Sequence, residues 1–128
     1  MDQLPPKRAG LPADKLEKVL AYLDEHIDER MPIARLAACI SMSPFHFARL
    51  FKLSTGQAPH AYLLTRRVER AKQLLSEEQA LPLVSIATSV GFQTQGHFTE
   101  VFRRYAGLTP RHYRLAAKGR SAPPSPTQ

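Results

Sequence analysis

A chain of 128 residues with a formal charge of +7 and an isoelectric point near 10.0 has room for one compact domain, or two small subdomains sharing an element, and favours an anionic partner. Cys39 is the only cysteine, which excludes an internal disulfide and points to a reducing compartment, and no apolar run reaches the roughly 18 residues that span a bilayer. The N-terminus, with Asp2, Pro5, Pro6, Lys7 and Arg8, lacks the apolar run of a signal peptide, so the chain reads as cytoplasmic with no membrane partner.

Residues 1–11 read as a flexible leader. Leu16, Val19, Leu20, Leu23 and Ile27 then recur at steps of three and four, predicting a first helix from about Ala13 to Asp28. A second helix is predicted over Ile33 to Ile40. Ser43 followed by Pro44 is a cap-plus-proline signal that opens a third, with Phe47, Leu50 and Phe51 on its buried side and Gly56 ending it. Pro59 starts a long fourth helix to about Ser76, which at 1.5 Å per residue spans about 25 Å and can link two subdomains. On it, Arg66, Arg67 and Arg70 are either solvated, or one of them braces the subdomains by bonding carbonyls at a helix end. Leu83 to Val90 gives a fifth helix and Gly91 a turn. Thr94 caps a sixth whose buried side is Phe98, Val101, Phe102 and Tyr105, and Gly107 ends it. Thr109 and Pro110 open a short seventh helix to about Ala117, and residues 118–128, rich in proline, read as a disordered tail.

The elements repeat. Pro32, Leu36, Ala37, Ile40, Ser41, His46, Phe47, Phe51, Gly56 and Pro59 are matched in order by Pro82, Ile86, Ala87, Val90, Gly91, His97, Phe98, Phe102, Gly107 and Pro110. The partners stand 50 positions apart as far as Ser41 and Gly91, and 51 apart from His46 and His97 on, so one residue has entered at the turn. Two copies are too few for a stacked solenoid, and paired helix-turn-helix reading heads are the better account. The fold expected is therefore all-α, with about seven helices. A first helix-turn-helix subdomain (12–57) and a second (77–117) are joined by a linker helix (58–76), and the recognition helices lie near 43–54 and 94–105. The charge follows this division. Residues 31–76 carry seven Lys or Arg against Glu69, and residues 99–128 six against Glu100, whereas residues 1–30 and 77–98 are each net −2.

A helix-turn-helix reads base edges with the outward side of its second helix. Removing the buried residues leaves Phe45, Ala48, Arg49 and Lys52 on the third helix. Arg49 suits the O6/N7 edge of guanine, Phe45 and Ala48 suit thymine methyls, and Lys52 suits a phosphate. Phe45 has a second reading, packing against its own domain. On the sixth helix the outward set is Gln95, Gly96, Thr99, Glu100 and Arg103. Gln95 can pair with adenine, Thr99 can meet a polar edge or a methyl, and Glu100 can accept from cytosine N4, or it only pairs with Arg103 or Arg104. His46 and His97, at equivalent positions, read as polar residues near phosphate or as makers of structural hydrogen bonds. Neither has partners at metal-ligand spacing, so no metal or cofactor is expected. Cys39, among Leu36, Ala37 and Ile40, reads as a packing residue rather than a reactive thiol, and no enzymatic activity is expected.

Leu36-Ala37, Ser43-Pro44, His46-Phe47, Phe51-Lys52, Gly56, Pro59, Tyr62-Leu63, Arg67, Ala71 and Leu74, then Ile86-Ala87, Val90-Gly91-Phe92, Phe98, Phe102-Arg103, Gly107, Thr109-Pro110 and Tyr113-Arg114 together resemble the AraC/XylS family of bacterial transcription regulators. The resemblance covers about residues 12 to 117. It implies sequence-specific binding to double-stranded DNA, with two recognition helices entering successive major-groove segments on one face of the duplex. It places the base-reading positions on Phe45, Ala48 and Arg49, then on Gln95, Gly96, Thr99 and Glu100. Ser41 stands where the family commonly has the turn glycine, which Gly91 retains, so the first turn is expected to be slightly strained or shaped differently. The outward faces make the first repeat the stronger reader. The acidic first helix, with Glu17, Asp24 and Glu25, is the expected face for a protein partner such as RNA polymerase. No effector pocket is evident, so no small-molecule ligand is expected, and the chain is either a stand-alone regulator or the C-terminal part of a longer one.

Overall fold

Proline sets where most of the helices begin. In the computed structural model, which describes residues 10–78 and 80–121, the helices are α1 (Ala13–Glu25), α2 (Ile33–Cys39), α3 (Pro44–Thr55), α4 (Pro59–Glu77), α5 (Leu83–Ser89), α6 (Gln95–Ala106) and α7 (Pro110–Ser121). Among the described residues there is no strand. Six of the seven helices start at or directly after a proline: Pro12, Pro32, Pro44, Pro59, Pro82 and Pro110. A proline there has its φ already near the helical value and lacks an N–H that would in any case have no partner within the helix. Only α6 starts without one.

The helices divide into two compact units, meeting at Leu64 and Thr65 inside α4. In the first unit, Val19 and Leu23 of α1, Leu36 and Ala37 of α2, and Phe47 and Phe51 of α3 are buried together with Leu63 of α4. The rings of Phe47 and Phe51 lie 5.4 Å apart and Phe51 meets Tyr62 edge-on at 5.3 Å. The second unit repeats this with Val68, Ala71 and Leu75 of α4, Ile86 and Ala87 of α5, and Phe98, Val101 and Phe102 of α6 in its interior. Leu50 and Tyr105, expected on the buried sides of α3 and α6, are only half-buried.

The two helix-turn-helix corners close with the same hydrogen bonds. After α2, Met42 N–H donates to Ala37 O (3.0 Å) and Ser41 N–H to Ala38 O (3.1 Å); after α5, Phe92 N–H donates to Ala87 O (2.9 Å) and Gly91 N–H to Thr88 O (3.0 Å). This pairing requires a left-handed residue at the turn. Gly91 takes φ 98°, and Ser41, at φ 57°, is the one non-glycine residue with positive φ among those described. The first turn is strained, as the missing glycine predicted.

Three expectations change. The first helix stops at Glu25 rather than Asp28. His26 bonds back to Tyr22 O through both its N–H (3.1 Å) and Nδ1 (2.9 Å), and the acidic residues Glu25, Asp28 and Glu29 oppose the negative end of a helix dipole. The corner after it is held by Arg35, which donates to Tyr22 Oη (2.6 Å), Arg30 O (2.8 Å) and Glu29 Oε1 (2.6 Å). That hydrogen bond keeps the Glu29 carboxyl below the usual carboxylate range and, with the Tyr22 bond, raises Arg35.

The second change concerns the leader. Leu11 is 5% exposed and joins the first core, its N–H donating to Ser54 Oγ at 2.8 Å, so residues 10 and 11 are strapped to the last turn of α3. Gly10 lies so close to the Ser54 hydroxyl that a Cβ would collide with it. The rest of the expected leader, residues 1–9, lies outside the described residues. Third, the last helix continues past Ala117 to Ser121 and takes the start of the expected tail; residues 122–128 lie outside the described residues.

Candidate nucleic-acid interface

α3 and α6 are built alike at both ends. Ser43 Oγ accepts from His46 N–H (3.3 Å) and Thr94 Oγ1 from His97 N–H (3.1 Å), each satisfying an amide that the helix leaves open. At the other end Gly56 and Gly107 take left-handed caps, bonding Lys52 O and Arg103 O. With both ends fixed and Phe47, Phe51, Phe98 and Phe102 fully buried, the helical period decides which side chains face outward.

On α3, Phe45 is 82% exposed, which settles its two readings against packing within its own domain. A ring left so open is available to an apolar group such as a thymine methyl. Arg49 and Lys52 are exposed beside it, and Ala48 is half-buried. On α6, Gln95, Gly96, Glu100 and Arg103 are exposed and Thr99 is half-buried. A Cβ placed on Gly96 would meet nothing within 4 Å, so this position opens the surface instead of packing it. Gln95, Gly96, Thr99, Glu100, Arg103 and Thr109 line a shallow, open depression of about 430 Å³.

Thr109 is the member of that group that sequence reasoning missed. Its pattern marked it only as the cap of α7, a role it does fill, since Thr109 Oγ1 accepts from His112 N–H at 3.2 Å. Nothing local in the sequence says that the start of α7 returns beside the outward side of α6. Glu100 faces Arg104 at 3.9 Å with both side chains more than half exposed, a contact too long and too wet to hold the carboxylate in one place. Arg103 is exposed in the same depression.

The two histidines diverge. Both are exposed and both give their backbone amide to the cap, but the His97 ring stands edge-on to Phe92 at 5.3 Å. Of the three arginines on α4, Arg66 is half-buried, Arg70 exposed and Arg67 buried, its guanidinium over the Phe92 ring. Arg114 also reaches a carbonyl, its guanidinium donating to Leu81 O. Cys39 is half-buried. Among the described residues no three His, Cys, Asp or Glu stand together to hold a metal ion, and no helix is long and apolar enough to cross a membrane.

Comparison with known proteins agrees with this architecture. Residues 36–116 match the helix-turn-helix domain family. The chain is 35% identical over 104 residues to the probable transcriptional regulator LumQ of Photobacterium leiognathi, covering 80% of this chain and 42% of LumQ. It is 33% identical over 119 residues to the regulatory protein PocR of Salmonella typhimurium, covering 92% of this chain and 39% of PocR. The chain thus spans about two fifths of the length of these relatives. Among solved structures, the DNA-binding domain of the global transcriptional factor AdpA, in complex with a target DNA, superposes with a TM-score of 0.78 at 36% identity, over 84% of this chain and 96% of that one. A transcriptional regulator of Chromobacterium violaceum with an AraC-type DNA-binding domain gives 0.76 at 30% identity, over 82% and 93%.

Proposed function

The chain belongs to the AraC/XylS family of bacterial transcription regulators, and on that premise we propose that it binds double-stranded DNA sequence-specifically and controls transcription, with α3 and α6 each entering a major-groove segment. The observation that carries this reading is the outward side of two helices capped at both ends. One offers Phe45, Ala48 and Arg49 and the other Gln95, Gly96, Thr99 and Glu100, all half-buried or exposed, while the rings behind them are fully buried. Rigid helices with adaptable outer residues are what base readout needs, because the groove admits a helix and shows each base pair as a distinct pattern. Lys52 and Arg103 flank these sets as phosphate contacts, and His46 and His97 stand at the helix starts with them. The reading calls on no cofactor or small-molecule ligand and no catalytic group, and work on bacterial DNA places it in the cytoplasm.

Selection of bound duplexes from a random pool, followed by binding at several salt concentrations, tests the proposal. Arg49→Ala is expected to cost about 1–3 kcal/mol at one base pair, whereas Lys52→Ala weakens all sequences alike and lowers the salt slope by about 1. Equal affinity for every duplex, with and without Arg49, overturns it.

The exposed acidic residues of α1 are the face we assign to a protein partner such as RNA polymerase. Glu17→Lys with Glu25→Lys is expected to reduce transcriptional output while leaving DNA affinity unchanged or slightly raised. A loss of output that follows a loss of DNA affinity refutes that assignment.

A further inference from the structure

The rings behind α6 are held differently from those behind α3. They form a run from Phe92 to Phe98 (5.4 Å), Phe102 (5.7 Å) and Tyr113 (5.5 Å), which starts directly after the turn glycine and ends on α7. A cation of α4 lies over the ring at each end: the Arg67 guanidinium is 5.8 Å from the centroid of Phe92, and Lys72 Nζ is 6.0 Å from that of Tyr113. Lys72 Nζ also donates to Glu69 Oε2 at 3.1 Å, which limits where its ammonium can go. Because the His97 ring meets Phe92 at 5.3 Å, Phe92 touches both Arg67 and the first turn of the recognition helix.

Two features make this contact more than packing. The apolar positions Leu20, Leu23 and Ile27 have the same spacing as Val68, Ala71 and Leu75, and in that register Arg67 takes the place of Val19. Val19 is fully buried and apolar, yet Arg67, at 7% exposed, puts a guanidinium in the equivalent interior. Burying that charge is costly where a valine would not be, and an aromatic face returns part of the cost, more so where water is excluded. α6 alone has no proline at its beginning, and Gly96 stands at its second position, where glycine disfavours helix. Its first turn therefore depends on the Thr94 cap and on what holds Phe92.

We propose that Arg67, with Lys72 as a second point of attachment, is a positioning residue for DNA reading by α6. The charge on Phe92 sets the direction in which α6 leaves the turn and so places Gln95 and Thr99. The inference rests on α6 being a recognition helix.

The test uses the full chain and the duplex it selects, with each base pair of the two contact segments changed in turn in competition binding. Arg67→Met keeps the stem and removes the charge; Arg67→Lys restores a cation. Arg67→Met is expected to lower base discrimination about five- to tenfold in the segment read by α6, with the α3 segment unchanged, and Arg67→Lys to recover most of it. In the free protein, amide exchange at residues 96–99 is expected to quicken in Arg67→Met and not in Arg67→Lys. Gln95→Ala runs alongside. If Gln95→Ala changes nothing in the α6 segment, the reading of α6 as a recognition helix fails, and amide exchange alone then decides whether Arg67 positions the helix. If Gln95→Ala acts and Arg67→Met does not, or if Arg67→Met weakens both segments equally, the positioning role is overturned. Should Arg67→Met fail to fold, Phe92→Leu, which keeps an apolar side chain and removes the ring face, carries the same comparison.

Discussion

Ser41→Gly is expected to stabilise the first unit, and the reason can be worked from one dihedral angle. Ser41 holds φ at 57° at the corner between α2 and α3, where Gly91 holds 98° in the second copy. A residue with a Cβ in this region loses roughly 1–2 kcal/mol to the clash with its own backbone. Replacing it by glycine removes that cost but frees the unfolded chain, which returns about 0.5–1 kcal/mol. The hydrogen bonds of the corner, Met42 to Ala37 and Ser41 to Ala38, use only backbone groups and survive the change. The net gain is about 0.5–1 kcal/mol, which for a unit of this size shifts the melting temperature by about 4–7 °C. Thermal and urea unfolding, followed by a probe in each unit, reads it. The reciprocal Gly91→Ser is expected to lose about as much in the second unit, and Ser41→Ala, which keeps the Cβ, to gain nothing. A Ser41→Gly protein no more stable than the parent, beside a neutral Gly91→Ser, refutes the account of the corner as strained.

The strap before α1 supports two further expectations. Leu11→Ala removes a side chain that is 5% exposed in the first core and is expected to cost about 2–4 kcal/mol, read as a fall in urea midpoint; a surface-like cost below about 0.5 kcal/mol shows that the leader is not docked. Ser54→Ala deprives the part-buried Leu11 N–H of its acceptor and is expected to cost about 1 kcal/mol and to speed exchange of that amide, whereas an unchanged exchange rate means that Leu11 N–H is held elsewhere.

Much of the candidate site was legible before any tertiary contact was known, because its rules are local. Ser43 and Thr94 cap, Pro44 opens a helix, Gly56 and Gly107 end one, and each of these depends on atoms within four residues. Once the helix is fixed, the 3.6-residue period puts Phe47 and Phe51 on one side and Phe45, Arg49 and Lys52 on the other. The strain at Ser41 was legible by another route, the family resemblance, which puts a glycine at that turn as Gly91 does in the second copy.

Where two ranks of logic met, the sequence was silent. Arg66, Arg67 and Arg70 look alike along α4, and only the tertiary structure buries Arg67, with its guanidinium over the Phe92 ring, and leaves Arg70 in water. Thr109 carried a cap signal and nothing more until α7 turned back beside α6. Leu11 bonds a residue 43 positions away, and no local pattern separates such a leucine from one in a loose leader. Helix starts, helix ends and facing sides were therefore determined by the sequence itself, through hydrogen bonds and dihedral limits that span a single turn. Which charge is buried, which cap lies beside the reading face and where the leader is tied were decided only by tertiary structure, because burial is set by neighbours distant in the chain.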